Sequence, residues 1–244
     1  MLDFCIKLLL MSQNHHSQIE PVEPDMAIAA IANASKNTPI ILDFDETLLL
    51  RNSTAEYINS FRPRFLGLML VILLKIIRPW SWLPKPFKGE KTRDWFLVTI
   101  PTILLPWTIL LWQQRAKKLA ADYGNSEIIA AVNSNSEAEI IVGSLGFNFV
   151  INPILQHLSL RCDRLVGCRF WQGAGDRNQG KLSMMQEVLS ESAIKSAILV
   201  TDSKDDLPLL EVVDQPCLVV WDQAKYLDPF QDFWLYSWLK QLKR

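Results

Sequence analysis

Two carboxylates on alternate positions, Asp43 and Asp45, follow directly on three aliphatic residues, Ile40, Ile41 and Leu42, and Thr47 stands two residues further on. Acids this close repel each other unless a cation lies between them, so the spacing points to a bound divalent ion, with Mg2+ the first candidate. A second acidic group, Asp202, Asp205 and Asp206, follows the apolar run at 197–201 (AILVT), and acids four positions apart in a strand-to-helix turn are able to face one ion. Lys181 opens a helical pattern, where an ammonium opposes the macrodipole, so a ligand explains its place better than helix stability does. Ser134 and Asn135, after the apolar run at 127–132, offer a hydroxyl and a backbone amide. Each residue also has a plainer use. Asp45, Thr47 or Ser134 can cap a helix, Lys181 can be a solvated surface lysine, and the acids can form a solvated loop.

The elements that must position these groups read as alternating strands and helices. Strands are expected at 39–42, 127–132, 147–151 (FNFVI), 165–171, 197–201 and 217–221, with helices at 136–145 (Gly146 as the stop), 180–190 and 205–213. Such alternation implies βαβ units and a parallel sheet, an α/β Rossmann-like fold with helices on both faces. Open sheets of this kind bind ligands at the carboxyl edge of their strands, where Asp43 and Asp202 would lie.

With these residues in view, the sequence DFDET at 43–47 resembles the first motif, DxDxT, of the haloacid-dehalogenase-like (HAD) hydrolases. Ser134 in SNS resembles the second motif, Lys181 the third, and DSKDDLPLL at 202–210 the fourth. The resemblance covers residues 39–50 and 120–222 and is closest to the phosphoserine-phosphatase-like branch, which carries a helical cap between motifs one and two. It implies a Mg2+-dependent phosphomonoester hydrolase working through an aspartyl-phosphate. Asp43 would be the nucleophile and Asp45 the general acid and base. Asp43, Asp45 (through its carbonyl), Asp202 and Asp206 would serve the metal, Asp206 as ligand or as orienting group. Thr47, Ser134, Asn135 and Lys181 would bind the phosphoryl oxygens. Asp205 departs from the branch, which often has Asn there. A phosphotransferase using an alcohol acceptor, or a binding module built on the same core, is the alternative reading.

Composition bounds the rest. The chain has 244 residues with 25 basic and 26 acidic side chains, so no overall field favours nucleic acid. Cys5, Cys162, Cys168 and Cys217 are scattered and read as reduced cytosolic thiols, and His15 and His16 lie far from them. Residues 1–38 read as an extension and linker without the marks of a signal peptide, with Asp25 as a cap for a short helix, and cytoplasmic residence is the expectation. The core is assigned to 39–53 and 120–227.

Residues 54–119 form an inserted, very apolar helical cap, with apolar runs at 66–74 and 95–112. A transmembrane hairpin would carry Arg78, Lys85, Lys88, Lys91 and Arg93 across, against the positive-inside tendency. The choice lies between a pair of interfacial helices, with Trp80, Trp82, Trp95, Trp107 and Trp112 at headgroup depth, and a buried cap. Contact with a membrane surface through 65–112 would make the enzyme peripheral and its substrate an amphiphile such as a lipid or isoprenoid phosphate. The aromatic and basic segment 228–244 is expected to be a further helix.

Overall fold

Three aliphatic residues in a row are unsuited to a surface, and Ile40–Leu42 accordingly occupy the middle of the sheet. In the computed structural model, which describes residues 19–224, five parallel strands run in the order β3-β2-β1-β4-β5. After α1 (Pro24–Ala32) the chain enters β1 (Ile40–Asp43) and then makes a helical excursion. This comprises α2 (Ser53–Ser60), α3 (Arg64–Ile77), α4 (Pro79–Trp82), α5 (Arg93–Leu104), α6 (Thr108–Tyr123) and α7 (Ser126–Ser134). It returns as β2 (Ile140–Phe147), α8 (Asn148–Leu155), β3 (Arg164–Cys168), α9 (Gly173–Gln179), α10 (Lys181–Gln186) and α11 (Glu191–Lys195). The last elements are β4 (Ile198–Thr201), α12 (Leu207–Leu210) and β5 (Gln215–Leu218). Every residue of β1 and β4 is buried, which requires helices on both faces of the sheet.

The chain steps outward from β1 to β2 and β3, then crosses back to β4 and β5 on the other side. The loops leaving β1 and β4 therefore diverge, and the crevice at their carboxyl ends is the topological switch point. In register, Ile40 pairs with Ile140 and Ile198, and Leu42 with Val142 and Val200, so Asp43 and Thr201 end adjacent strands.

Three expected elements are corrected. Residues 127–132 are helical, inside α7: Asn125 caps it by accepting from the backbone of Glu127 and Ile128, and Ile128, Ala131 and Val132 are buried at helical spacing. Residues 136–145 are mostly strand, since Ile140–Val142 pair alongside Ile40–Leu42. The segment expected as the strand FNFVI is the start of α8. Gly143 leaves room within β2 for the end of the Met185 side chain on α10, whose Cε would lie 2.0 Å from a Cβ there. At the N-terminal side, Asp25 sits in the first turn of α1 and does not cap it. Segment 228–244, Cys5 and the two early histidines lie outside the described residues, within which Cys162, Cys168 and Cys217 are free thiols.

The inserted helices dock on the core through aromatic side chains. Tyr57 sits edge-on to Phe61, Trp112 and Phe149, and the indoles of Trp95 and Trp112 donate to the carbonyls of Phe170 (2.8 Å) and Val150 (2.9 Å). Trp80, Trp95 and Trp112 are thus interior, which removes them from the expected headgroup set; Trp82 and Trp107 are exposed. Among the described residues Arg64–Trp82 is the single stretch long and apolar enough by composition to cross a membrane, and 90–104 with 108–123 pass only as a pair bent by 120°. The first stretch is broken at Arg78, whose φ is 50°, so α3 itself spans about 21 Å, short of the ~30 Å hydrocarbon core.

Candidate functional site

Asp43 ends β1 because the apolar run stops there, and Asp206 and Lys181 reach it from the turn after β4 and from the first residue of α10. The Lys181 Nζ lies 2.8 Å from Asp43 Oδ1 and 2.5 Å from Asp206 Oδ2, with all three groups buried. Thr201, the last residue of β4, places its hydroxyl 3.0 Å from Asp43 Oδ2 and 2.6 Å from Asp206 Oδ2. The backbone N–H of Phe44 donates to Asp43 Oδ1 at 2.7 Å. One ammonium thus holds together carboxylates from the ends of β1 and β4.

Electrostatics follow from this burial. Desolvation is the largest influence on Asp43 and raises its carboxyl, with Lys181 pulling it back and Asp206 adding to the rise. For Lys181 burial opposes the charge, but attraction to Asp43 and Asp206 together with the hydrogen bonds outweighs it, and the ammonium is held above its usual range. Asp45 is pushed up to about 7, chiefly by burial, against the stabilising N–H of Ser53 that donates to its carboxylate at 2.6 Å. Asp202 is also raised to about 7, by burial and then by the charges of Asp43 and Glu46.

These groups line a cavity of about 230 Å3 that also takes in Ser144, Gly146 and Arg177. Seven carboxylates and two cations face it. The Arg177 guanidinium is held at the wall by Asp94 (2.7 Å) and by the carbonyls of Lys91 and Leu145, which ties the inserted helices to the core beside the cavity.

Of the residues expected here, Asp43, Asp45, Lys181, Asp202 and Asp206 meet at the cavity, and three others do not. Thr47 is fully buried and clamps two loops, donating to Asp202 Oδ1 (3.1 Å) while accepting from the Asp202 N–H (3.0 Å). Its hydroxyl is committed and has no room for a phosphoryl oxygen. Ser134 ends α7 and donates to the Ala131 carbonyl. Asn135 is structural: its amide donates to the carbonyls of Ile31 and Ala34, and its oxygen accepts from Glu137 and Ala138.

The hydroxyls that line the cavity are those of Thr54, Ser144 and Ser203, and of these Ser144 lies on β2, directly beside β1. Its Oγ accepts from the Gly146 N–H at 2.9 Å, which leaves its own proton for a ligand. The signal for it was a β-branched run, Ile140–Val142, matching Ile40–Leu42 and followed by small residues. Of the two roles expected for Asp206, ligand or orienting group, its contacts match the second, since its carboxylate is taken up by Lys181 and Thr201.

Among the described residues no three Asp, Glu, His or Cys side chains are gathered into a cluster able to hold a metal. Beside Asp43, whose carboxylate faces Lys181, the cavity presents Asp45 and Asp202, and this donor set is made of oxygen alone. Sparse, hard oxygen donors suit Mg2+, which binds through one or two carboxylates and keeps waters and substrate oxygens as its other ligands. A comparison with known protein families and with curated proteins finds no match for this chain.

Proposed function

We propose that the chain is a Mg2+-dependent phosphomonoester hydrolase of the HAD type. The observation that carries this reading is the buried Lys181 bridging Asp43 and Asp206 at the switch point of the sheet, beside Asp45, Asp202 and Ser144. Asp43 attacks phosphorus, forming an acyl phosphate as the bond to the leaving oxygen breaks. Asp45, at about 7, is poised to give its proton to that oxygen near neutral pH and then to take one from the water that releases phosphate from Asp43. Ser144 and Lys181 orient the phosphoryl oxygens, a role dominated by positioning and electrostatics.

Charge balance supports the cofactor. A phosphate dianion entering a cavity faced by seven carboxylates and two cations needs added positive charge. Mg2+, held by Asp43, Asp202 and the Asp45 carbonyl, would supply that charge and offset the anionic oxygens during transfer. The apolar inserted helices favour an amphiphilic phosphate as substrate. Hydrolysis of a generic aryl phosphate with and without Mg2+ tests the activity, and absence of Mg2+-dependent turnover sinks it. Preference for phosphoserine over a lipid phosphate in liposomes removes the substrate assignment.

Two further outcomes follow here. Ser144→Ala is expected to lower kcat/KM for the aryl phosphate by roughly 10- to 100-fold with little change in Tm, because one hydrogen bond to the transferring group is lost. Ser134→Ala should leave kcat/KM unchanged, since Ser134 bonds only its own helix. Equal losses in the two variants would contradict the placement of Ser144.

The second concerns pH. Burial raises the Asp45 and Asp202 carboxyls from the ordinary carboxylate range to about 7, so in the window between, the folded chain binds more protons than the unfolded one. Stability of the metal-free protein therefore falls as pH rises through this window. The expected thermal-shift result is a Tm lower by roughly 5 °C at about pH 8 than at about pH 5, with Mg2+ restoring more at the higher pH. Asp202→Asn should weaken both effects, and a Mg2+ shift equal in wild type and variant would remove Asp202 from the metal.

A further inference from the structure

Of the eighteen large apolar side chains that are exposed among the described residues, thirteen fall between Phe65 and Leu111. On α3 they are Phe65, Leu66, Met69, Leu73, Ile76 and Ile77, a stripe along one side of a helix about 21 Å long. The other side of α3 is packed: Gly67, Val71 and Leu74 are buried, and a Cβ on Gly67 would lie 2.3 Å from Cβ of Phe61. The helix therefore cannot turn its stripe inward.

The stripe continues at both ends. The Trp107 indole donates to the Arg62 carbonyl at 2.5 Å, which sets the corner between α5 and α6, with Leu104 and Leu110 exposed, beside the start of α3. At the other end the Trp82 indole donates to the Ile77 carbonyl at 3.2 Å. The strip is thus bracketed by two exposed indoles, 64% and 45% accessible, the side chain that settles at the boundary between headgroups and acyl chains.

Charge identifies what covers it. Residues 54–119 hold eleven basic and three acidic side chains, a net +8 in a chain whose total is −1, so the remainder carries −9. Arg64 opens α3, Arg78 closes it, Lys85 and Lys88 follow, and Lys117 and Lys118 lie about two turns beyond Leu110 and Leu111 on α6, all of them exposed. A symmetric contact with a second copy would bring two such cationic rims together, whereas an anionic lipid surface neutralises them. We infer that the α3 stripe and the α5–α6 corner dock the protein in the interface of an anionic bilayer, lying in its plane without crossing it. The inference is independent of the hydrolase reading.

Flotation of the full chain with phosphatidylcholine vesicles, with and without phosphatidylglycerol, tests it. The wild type should float with the anionic vesicles, less so as salt is raised, and Leu73→Glu/Leu110→Glu should reduce the bound fraction roughly tenfold or more. Both positions are exposed, so the variant keeps its circular dichroism, its Tm and its turnover of a soluble aryl phosphate. No flotation of the wild type, equal flotation of the variant, or a light-scattering dimer that this variant dissociates would each overturn the inference. Loss of aryl phosphate turnover in wild type and variant alike would count against the hydrolase and leave the vesicle result to stand on its own.

Discussion

Asp43→Asn is expected to hydrolyse a generic aryl phosphate roughly 10^4-fold or more slowly than wild type while melting within a few degrees of it. An amide nitrogen or oxygen does not attack phosphorus at a useful rate, and no other carboxylate ends β1, so the covalent step is lost. The fold has reason to survive. Asp206 still pairs with Lys181 at 2.5 Å, and an Asn oxygen in the place of Oδ1 can accept from Phe44 N–H, while the amide nitrogen in the place of Oδ2 can donate to the Thr201 Oγ. Steady-state rates in Mg2+ beside a thermal melt check both halves. Turnover within tenfold of wild type would show that Asp43 is not the nucleophile.

Lys181→Met is expected to cost stability as well as activity. The substitution keeps the side chain's length but leaves Asp43 and Asp206 buried without their cation, a situation that costs about 3–5 kcal/mol when one partner of a buried pair is removed. The sign of the pH effect follows. With the lysine gone the Asp43 carboxyl, already raised by burial, loses the attraction that pulls it back, so the folded state holds a proton that the unfolded state releases and the penalty shrinks on acidification. Urea unfolding of wild type and variant at about pH 5 and about pH 8 measures this. A penalty independent of pH would mean that Lys181 is held by packing and that its charge is immaterial. Activity should fall at every pH, because the phosphoryl oxygens lose the ammonium that balances them.

Much of the architecture was readable from short-range pattern. Ile40–Leu42 and the run at 197–201 were placed correctly as strands, because an aliphatic run that stops abruptly at an acid is a local signal. The second strand was misplaced by about a dozen residues. Ile128 and Ile129 form an apolar pair of ambiguous period, and the cap supplied by Asn125 decides for helix. The true strand was disguised by Gly143 and Ser144, which fell inside the expected helix, and by Gly146, read as its stop; the two glycines sit where α10 and Asp45 approach the backbone closely. That slip moved the expected hydroxyl from Ser144 to Ser134 and carried Asn135 with it. Likewise, the tryptophans in the insertion announced an apolar region, but spacing alone did not say that Trp80, Trp95 and Trp112 turn inward while Trp82 and Trp107 stay outside.

From its amino acids alone this chain determined that acids would stand at the ends of buried parallel strands, because burial and its interruption are written in neighbouring residues. Which acid would pair with Lys181, which hydroxyl would face the cavity, and that Thr47 would be consumed as a clamp on Asp202 were decided only by tertiary structure. Those contacts join residues up to 158 positions apart, such as Thr201 with Asp43, and follow from strand register and from the way α10 crosses the sheet. No window of sequence contains that geometry, since it arises from five strands choosing their neighbours together.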